Sequence, residues 1–244
     1  MFRAYVSLRR RSSRRPVDAS RRPSDRFGVS VAVLWTGGKD SALALHDVRE
    51  RGVSELVTFV PPNAAFRAHD LGLMAWQARA VGLPHHQVVV EAPYEAGYRS
   101  ALIKLRERGI ECVVTGDIAE VAGQPNFISA RAREVGLRVE LPLWGVPRGA
   151  HLARLLGLGF DVMLTHVSEP WLDATWVGRH LDAAALLELS QLHSTRGLDI
   201  AGENGEYHSM VLAGPGWASA LRITGHTVSA PPHHRLHVSS VTLA

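Results

Sequence analysis

Residues 31–41 read Val-Ala-Val-Leu-Trp-Thr-Gly-Gly-Lys-Asp-Ser. The first half of this stretch is too short and too rich in valine for a helix, so it predicts a buried strand. The Gly-Gly pair predicts a turn, and the Asp-Ser pair predicts the capped start of a helix. The stretch therefore predicts a strand, a loop and a helix in succession.

Such a loop is suited to a phosphate group. Adjacent glycines can take positive φ angles and bring successive N–H groups close to an anion, and the following helix points its positive end at the same place. Thr36 and Ser41 add hydroxyl groups, and Lys39 adds a compact positive charge. The predicted polyphosphate-binding residues are Thr36, Gly37, Gly38, Lys39, Asp40 and Ser41.

The loop differs from a Walker loop, which has a glycine five residues before the Gly-Lys pair and Ser or Thr directly after the lysine. Val33 and Asp40 stand at those positions. The loop resembles the PP-loop, Ser-Gly-Gly-x-Asp-Ser, of the ATP pyrophosphatases, with Thr36 replacing the first serine. That resemblance implies an enzyme that uses ATP with Mg²⁺ and releases pyrophosphate. An ordinary strand-to-helix turn is the alternative.

The rest of the chain predicts two parts. Strands at 55–60, 87–91 and 111–115 alternate with helical patterns at 70–80 and 97–108, which is typical of a Rossmann-like parallel sheet. Strands at 207–212 and 236–243 predict a smaller α+β part, and residues 231–234 predict a loop. We place an α/β ATP-binding domain at residues 27–147 and an α+β substrate domain at residues 148–244.

Composition and charge exclude several classes of protein. No apolar run approaches the roughly 18 residues of a membrane span, and the single cysteine excludes an internal disulfide, so we expect a cytoplasmic protein. Residues 1–26 hold nine arginines and two aspartates, whereas the remainder carries 18 basic and 21 acidic side chains. The arginine-rich residues 1–26 predict a disordered tail or a start codon assigned too far upstream, and their composition is also compatible with an organelle transit peptide. The net −3 of the remainder disfavours nucleic-acid binding.

Two further stretches offer functional groups. Gly116 and Asp117 follow a predicted parallel strand, where ligands bind in such sheets. The Asp117 carboxylate could hold a ribose hydroxyl or Mg²⁺, and a helix N-cap is the alternative.

Residues 202–209 read Gly-Glu-Asn-Gly-Glu-Tyr-His-Ser. The Asn-Gly pair predicts a turn that brings Glu203 and Glu206 together, and His208 could serve as a general base. Two close carboxylates suit an amine, an ammonium ion or a divalent metal, whereas a solvated hairpin tip is the alternative. The other histidines lack the spacing of metal ligands, so no metal site is predicted from them.

The early loop and the late Gly-Glu-x-Gly-Glu-Tyr-His-Ser motif together resemble the diphthine–ammonia ligase family. The resemblance runs from residue 31 to about residue 217 and includes four further segments, which are Gly116-Asp117-Ile118, Pro142-Leu143-Trp144, residues 178–182 and Gly214-Pro215. It implies an adenine nucleotide alpha hydrolase-like domain and a smaller α+β domain with the active site between them.

The resemblance also implies a reaction. A substrate carboxylate is adenylated by ATP, and ammonia then displaces AMP. The catalytic residues implied are Asp40, Glu203, Glu206 and His208, and Gly116 and Asp117 would lie near the adenylate. The acceptor would be diphthine on elongation factor 2 or a small molecule, because the family's usual Asp-Pro-Cys is replaced here by Asp199-Ile200-Ala201. The alternatives are the same chemistry on another small-molecule or tRNA acceptor, and an ATP-binding regulatory module without chemistry.

Overall fold

The computed structural model describes residues 29–63, 70–120 and 126–244, so the predicted tail at 1–26 lies outside the described residues. The strands are β1 (Val31–Leu34), β2 (Val53–Val60), β3 (His85–Val89), β4 (Cys112–Val114), β5 (Arg138–Glu140), β6 (Asp161–Ser168), β7 (Tyr207–Ala213), β8 (Leu221–Ala230) and β9 (His233–Leu243). The helices are α1 (Lys39–Val48), α2 (Leu71–Val81), α3 (Tyr94–Glu107), α4 (Phe127–Glu134), α5 (Arg148–Gly157) and α6 (Ala183–Arg196). None of the helices in this part of the chain is long and apolar enough to cross a bilayer.

Strands β1 to β5 form a fully parallel sheet in the order β3-β2-β1-β4-β5. This arrangement confirms the predicted α/β class. Because β1 lies at the centre, the loop that follows it opens in the middle of the carboxyl edge, where such sheets bind ligands. Strand β5 was not predicted, because its three residues, Arg-Val-Glu, are too few to show the alternation of apolar and polar residues that is typical of a strand.

The alternation of side chains along β1 explains why helices cover both faces of the sheet. Val31 and Val33 enter a core that they share with α1 and α2. Ala32 points to the opposite face, into a second core formed with α3 and α4. All three side chains are buried, as expected for a central strand of a parallel sheet.

A second sheet is antiparallel, in the order β7-β6-β9-β8. Its inner side chains, including Val162 and Val211, belong to the same core as β1 and α1. This smaller sheet with its helices confirms the predicted α+β part, whereas the boundary between residues 147 and 148 stays a prediction. The predicted loop at 231–234 is wrong in part, because His233 and His234 already pair in β9.

Candidate functional site

The loop between β1 and α1 is built on one left-handed glycine. Gly37 has φ +74°, and a Cβ at this position would overlap the side-chain oxygen of Gln77. The sequence predicts positive φ at both glycines, but Gly38 has φ −82°. Space is the constraint at Gly38, because a Cβ there would lie 3.2 Å from the Ser209 carbonyl oxygen. A side chain at either position therefore requires the loop or its neighbours to shift.

Helix α1 begins directly after Gly38 and has no side-chain cap. The predicted cap by Asp40 and Ser41 is wrong, because both residues lie inside the first turn. The Ser41 hydroxyl donates to the Gly38 carbonyl oxygen (3.1 Å), and the Thr36 hydroxyl donates to Ser41 Oγ (3.2 Å). The start of α1 therefore keeps the positive end of its dipole for an anion.

Helix α2 and strand β7 hold the loop from outside. The side-chain amide of Gln77, which is 0% exposed, donates 2.8 Å hydrogen bonds to the carbonyls of Gly37 and Val211. The Val211 amide donates to the Gly37 carbonyl (3.0 Å), and the Lys39 amide donates to the Ser209 hydroxyl (3.3 Å). These partners lie 40 to 174 positions apart in sequence, from Gly37–Gln77 to Gly37–Val211, so they leave no local pattern that could reveal them.

Asp40 lies between a lysine and a buried histidine. Its Oδ2 accepts a hydrogen bond from Lys39 Nζ, and its Oδ1 accepts one from His151 Nε2, both at 2.8 Å. His151 lies on α5 and is 0% exposed, whereas the Asp40 side chain is 26% exposed and lines the cleft described below. Sequence analysis missed His151, because a histidine on the inner face of an amphipathic helix carries no mark of its partner.

Lys39 and Asp40 each stabilise the ionised form of the other. Burial alone would lower the pKa of Lys39 and raise the pKa of Asp40, since a buried charge loses its hydration. The nearby charges outweigh burial. Asp40, Tyr207 and Glu203 raise the Lys39 pKa above its usual value. Lys39 and the His151 hydrogen bond lower the Asp40 pKa. Both groups are therefore ionised at neutral pH.

A cleft of about 530 Å³ opens at the carboxyl edge of the parallel sheet. This volume is within the range of small-molecule sites, about 300–1,000 Å³. Polar side chains from both ends of the chain line it: Thr36, Asp40, Ser41, Asp117, Glu203 and His208. Apolar side chains also line it: Leu34, Phe59, Met74, Tyr98 and Ile128. The structure thus brings most of the predicted site residues into one cavity.

Glu203 is the carboxylate that the late motif contributes to the cleft. Its side chain is 30% exposed, and its Oε1 lies 3.9 Å from Lys39 Nζ. Burial raises the Glu203 pKa, Lys39 opposes this shift, and the charges of Asp40 and Asp199 add to it. A further cation beside Glu203 would therefore be favoured electrostatically.

Glu206 lies under the late loop and does not line the cleft. It is 1% exposed and accepts hydrogen bonds from the backbone amides of Asp199 (3.0 Å) and Asn204 (2.9 Å). Glu203 and Glu206 therefore do not face the cleft together, as the resemblance implies for a catalytic pair. Through these hydrogen bonds Glu206 stabilises the loop that carries Glu203, because a carboxylate forms strong hydrogen bonds with backbone amides.

Gly116 and Asp117 lie where the sequence predicts, just beyond β4. A Cβ on Gly116 would stand 2.6 Å from the Asp40 carbonyl carbon, so glycine is required for β4 and α1 to approach. The helix-cap alternative for Asp117 is wrong. Asn126 caps α4 instead, through its Oδ1 and the Ser129 amide (2.8 Å), while its side-chain amide donates to Asp117.

Three imidazoles lie side by side on adjacent strands of the second sheet. The ring centroid of His166 is 5.1 Å from that of His208 and 5.3 Å from that of His233. Burial and the neighbouring His208, His233, Arg235 and His234 lower the His166 pKa to about 4. His166 is therefore a neutral imidazole behind the cleft residue His208. Across residues 29–63, 70–120 and 126–244, no three or more His, Cys, Asp or Glu side chains are arranged to hold a metal.

Two protein-family models match the chain. The model for the diphthamide synthase N-terminal domain matches residues 29–139, and the model for the diphthamide synthase C-terminal domain matches residues 150–230. Among solved structures, the chain is similar to a predicted subunit of tRNA methyltransferase from Methanocaldococcus jannaschii. That similarity has 14% identity and a TM-score of 0.44, and it covers 76% of this chain and 97% of the other. No curated protein matches the sequence.

Proposed function

Because the chain belongs to the diphthamide synthase (diphthine–ammonia ligase) family, we propose that it is an ATP-dependent, amide-forming ligase. A substrate carboxylate attacks the α-phosphate of ATP and releases pyrophosphate. Ammonia then attacks the acyl adenylate, AMP leaves, and a proton is released as the amide forms. One observation carries this proposal: phosphate-loop residues Thr36 and Asp40 and late-motif residues Glu203 and His208 line the same cleft.

The phosphates would bind at the loop, at residues 37–41. The uncapped start of α1 and the ionised Lys39 supply positive potential there. Hydroxyl groups of Thr36 and Ser41 lie at the same end of the cleft. This donor set fits a polyphosphate, which carries several negative charges and accepts many hydrogen bonds.

The nucleoside would occupy the apolar side of the cleft. Phe59 and Tyr98 contact each other edge to face, with ring centroids 5.4 Å apart, and Ile128 lies on the same wall. Flat apolar surfaces of this kind favour an aromatic base. Gly116 and Asp117 complete the wall near the ribose and the α-phosphate in this proposal.

The proposed reaction uses Mg²⁺, which at nucleotide sites is held by one or two carboxylates and by the phosphates themselves. Asp117 is the cleft carboxylate that we assign to it, because it carries no ion pair with a lysine or arginine in the described parts of the chain. When bound, the ion would neutralise charge on the phosphates.

The late motif would serve the second half of the reaction. The Glu203 carboxylate is partly buried, and its pKa is raised chiefly by that burial and further by the charges of Asp40 and Asp199, so an additional positive charge beside it would be favourable. An ammonium ion would supply that charge. His208 lines the same cleft and could accept the proton that ammonium must lose before its nitrogen can attack.

The acceptor in this proposal is a carboxylate, with diphthine as the first candidate. The segment Asp199-Ile200-Ala201, which departs from the family pattern, is held by local contacts. Asp199 accepts hydrogen bonds from Arg148 (2.5 Å) and from the Ala201 amide (2.8 Å). This segment favours, as the second candidate, the same adenylation with a different small-molecule acid. A regulatory module that only binds ATP would have no use for Glu203 beside the phosphate loop.

The nucleotide products test the proposal. Purified protein, labelled ATP, Mg²⁺ and ammonium are mixed with fractions of a metabolite and protein extract. We expect AMP and pyrophosphate, dependent on one fraction. Asp40→Asn should abolish this turnover, whereas Asp47→Asn, on the same helix but paired with Arg154, should retain it. ADP and phosphate as products, or full activity of Asp40→Asn, would contradict the proposal.

A further inference from the structure

His151 does not line the cleft but forms a hydrogen bond with Asp40, which does. It is 0% exposed on α5, and its Nε2 donates to Asp40 Oδ1 at 2.8 Å. Its Nδ1 is buried and has no hydrogen-bond partner among the described residues. Within that part of the chain, the hydrogen bond to Asp40 is therefore the one polar contact of this imidazole ring, and it is directed at the phosphate loop.

Asp40 holds Lys39 on its other oxygen, at 2.8 Å. The lysine side chain is only 6% exposed, so a phosphate that binds at the loop competes with Asp40 for the same ammonium group. When Lys39 turns to the phosphate, Asp40 loses its cation. A partly buried carboxylate without a partner raises the free energy of the protein, because neither water nor a hydrogen-bond donor replaces the lost ion pair.

We propose that His151 is a positioning residue that keeps Asp40 in place and hydrogen-bonded while Lys39 transfers to a nucleotide phosphate. This inference rests on the proposed function. A single retained donor reduces the cost of releasing Lys39, and it prevents the Asp40 carboxylate from following the lysine towards the negatively charged phosphates. Gly116 adds a second restraint, because it packs directly against the Asp40 backbone.

Nucleotide affinity tests the inference, with α,β-methylene-ATP and Mg²⁺ as the probe and calorimetry as the readout. His151→Leu removes the donor and retains a buried apolar side chain, so we expect about 10- to 100-fold weaker binding, as for loss of a hydrogen bond to a charged group. His151→Gln retains an N–H donor, and it should restore affinity to within about threefold of the wild type.

The same His151→Leu substitution in the Asp40→Asn protein distinguishes a positioning role of His151 from a packing role. In Asp40→Asn the side chain is neutral, so no carboxylate is stranded when Lys39 leaves. There His151→Leu should weaken probe binding by less than about threefold, because the contact that it breaks no longer involves a charge. Thermal unfolding of each variant shows that the protein measured is folded.

If His151→Leu weakened probe binding equally in the wild-type and the Asp40→Asn proteins, the inference would be overturned, because a packing defect gives that result. Wild-type affinity of His151→Leu would also overturn it, and would leave the proposed function intact. If the wild-type protein does not bind the probe at all, the proposed function fails, and the inference fails with it.

Discussion

The side-chain amide of Gln77 donates to the carbonyl of Gly37 and also fills the space that a Cβ on Gly37 would need. Gly37→Ala therefore meets two obstacles, the overlap with Gln77 and the positive φ. We expect it to destabilise the fold by about 2–4 kcal/mol, the range of a strained and overpacked site, and to weaken ATP binding. Urea unfolding and calorimetry with ATP measure the two effects.

Gly82→Ala is the matched control, since Gly82 has φ +79° and a Cβ at this position would meet nothing within 4 Å. This substitution should lower the free energy of unfolding only by the backbone strain, about 1–2 kcal/mol, and leave ATP affinity unchanged. Equal losses of stability and of ATP affinity in the two variants would show that Gln77 does not restrict residue 37.

Removal of the Gln77 amide is the second test of the loop. Gln77→Leu breaks buried hydrogen bonds to Gly37 and Val211, so we expect a loss of about 2–3 kcal/mol in unfolding free energy. ATP binding should weaken, because the loop then loses one of its outside supports. Gln87→Leu, at an exposed position of β3, should change neither quantity. A stable Gln77→Leu protein with unaltered ATP affinity would contradict this account of the loop.

Glu203→Gln tests the ammonium proposal. Without the carboxylate, the KM for ammonium should rise about 10-fold or more, as for loss of a hydrogen bond to a charged group, whereas the KM for ATP should change little. Because burial raises the Glu203 pKa, activity of the wild type should fall on the acid side above the usual range of glutamate. Glu107→Gln, exposed on α3, is the control. An unchanged KM for ammonium would remove Glu203 from this role.

His166 makes stability depend on pH. Its pKa falls from 6.5 to about 4 in the folded protein because of burial and neighbouring positive groups. Between these two values the unfolded chain binds more protons than the folded chain, so stability rises with pH and is lost as pH falls below 6.5. His166→Asn should reduce the difference in unfolding free energy between pH 7 and pH 5.

His226→Asn, at an exposed position of β8, should retain the wild-type difference. If His166→Asn shows the full wild-type dependence on pH, another group is responsible for it. Urea titrations at both pH values decide the question.

The parallel sheet and the glycine turn between β1 and α1 were predictable because their signals are local, whereas phosphate binding at that turn stays a prediction. A valine-rich run before Gly37 and the periodic apolar residues of α2 depend only on neighbours in sequence. The cap was mispredicted because α1 begins at Lys39 with Gly38 at the N-cap position, so Asp40 already lies inside the helix, where its side chain bonds Lys39 and His151.

The rest of the candidate site depends on contacts between distant residues. Gln77, His151 and Ser209 contact the loop or Asp40 from α2, α5 and β7, and no spacing in the sequence encodes those contacts. Glu206 shows the converse, since a motif placed it correctly in the loop but could not distinguish a carboxylate that faces the cleft from one that holds backbone amides. Strand β8 was missed because its apolar–polar alternation lasts only from Leu221 to Thr224 and then breaks at Gly225.

The anchoring of the loop by β7 has a consequence for biosynthesis. Lys39 leaves the ribosome 170 residues before Ser209, the hydroxyl that holds its backbone amide. Until β7 has been synthesised, the nascent chain therefore carries the β1–α1 loop without the strand that holds it. If the loop binds ATP as proposed, this ability should arise only once β7 has emerged, so that a nascent chain that ends before β7 would not compete for nucleotide.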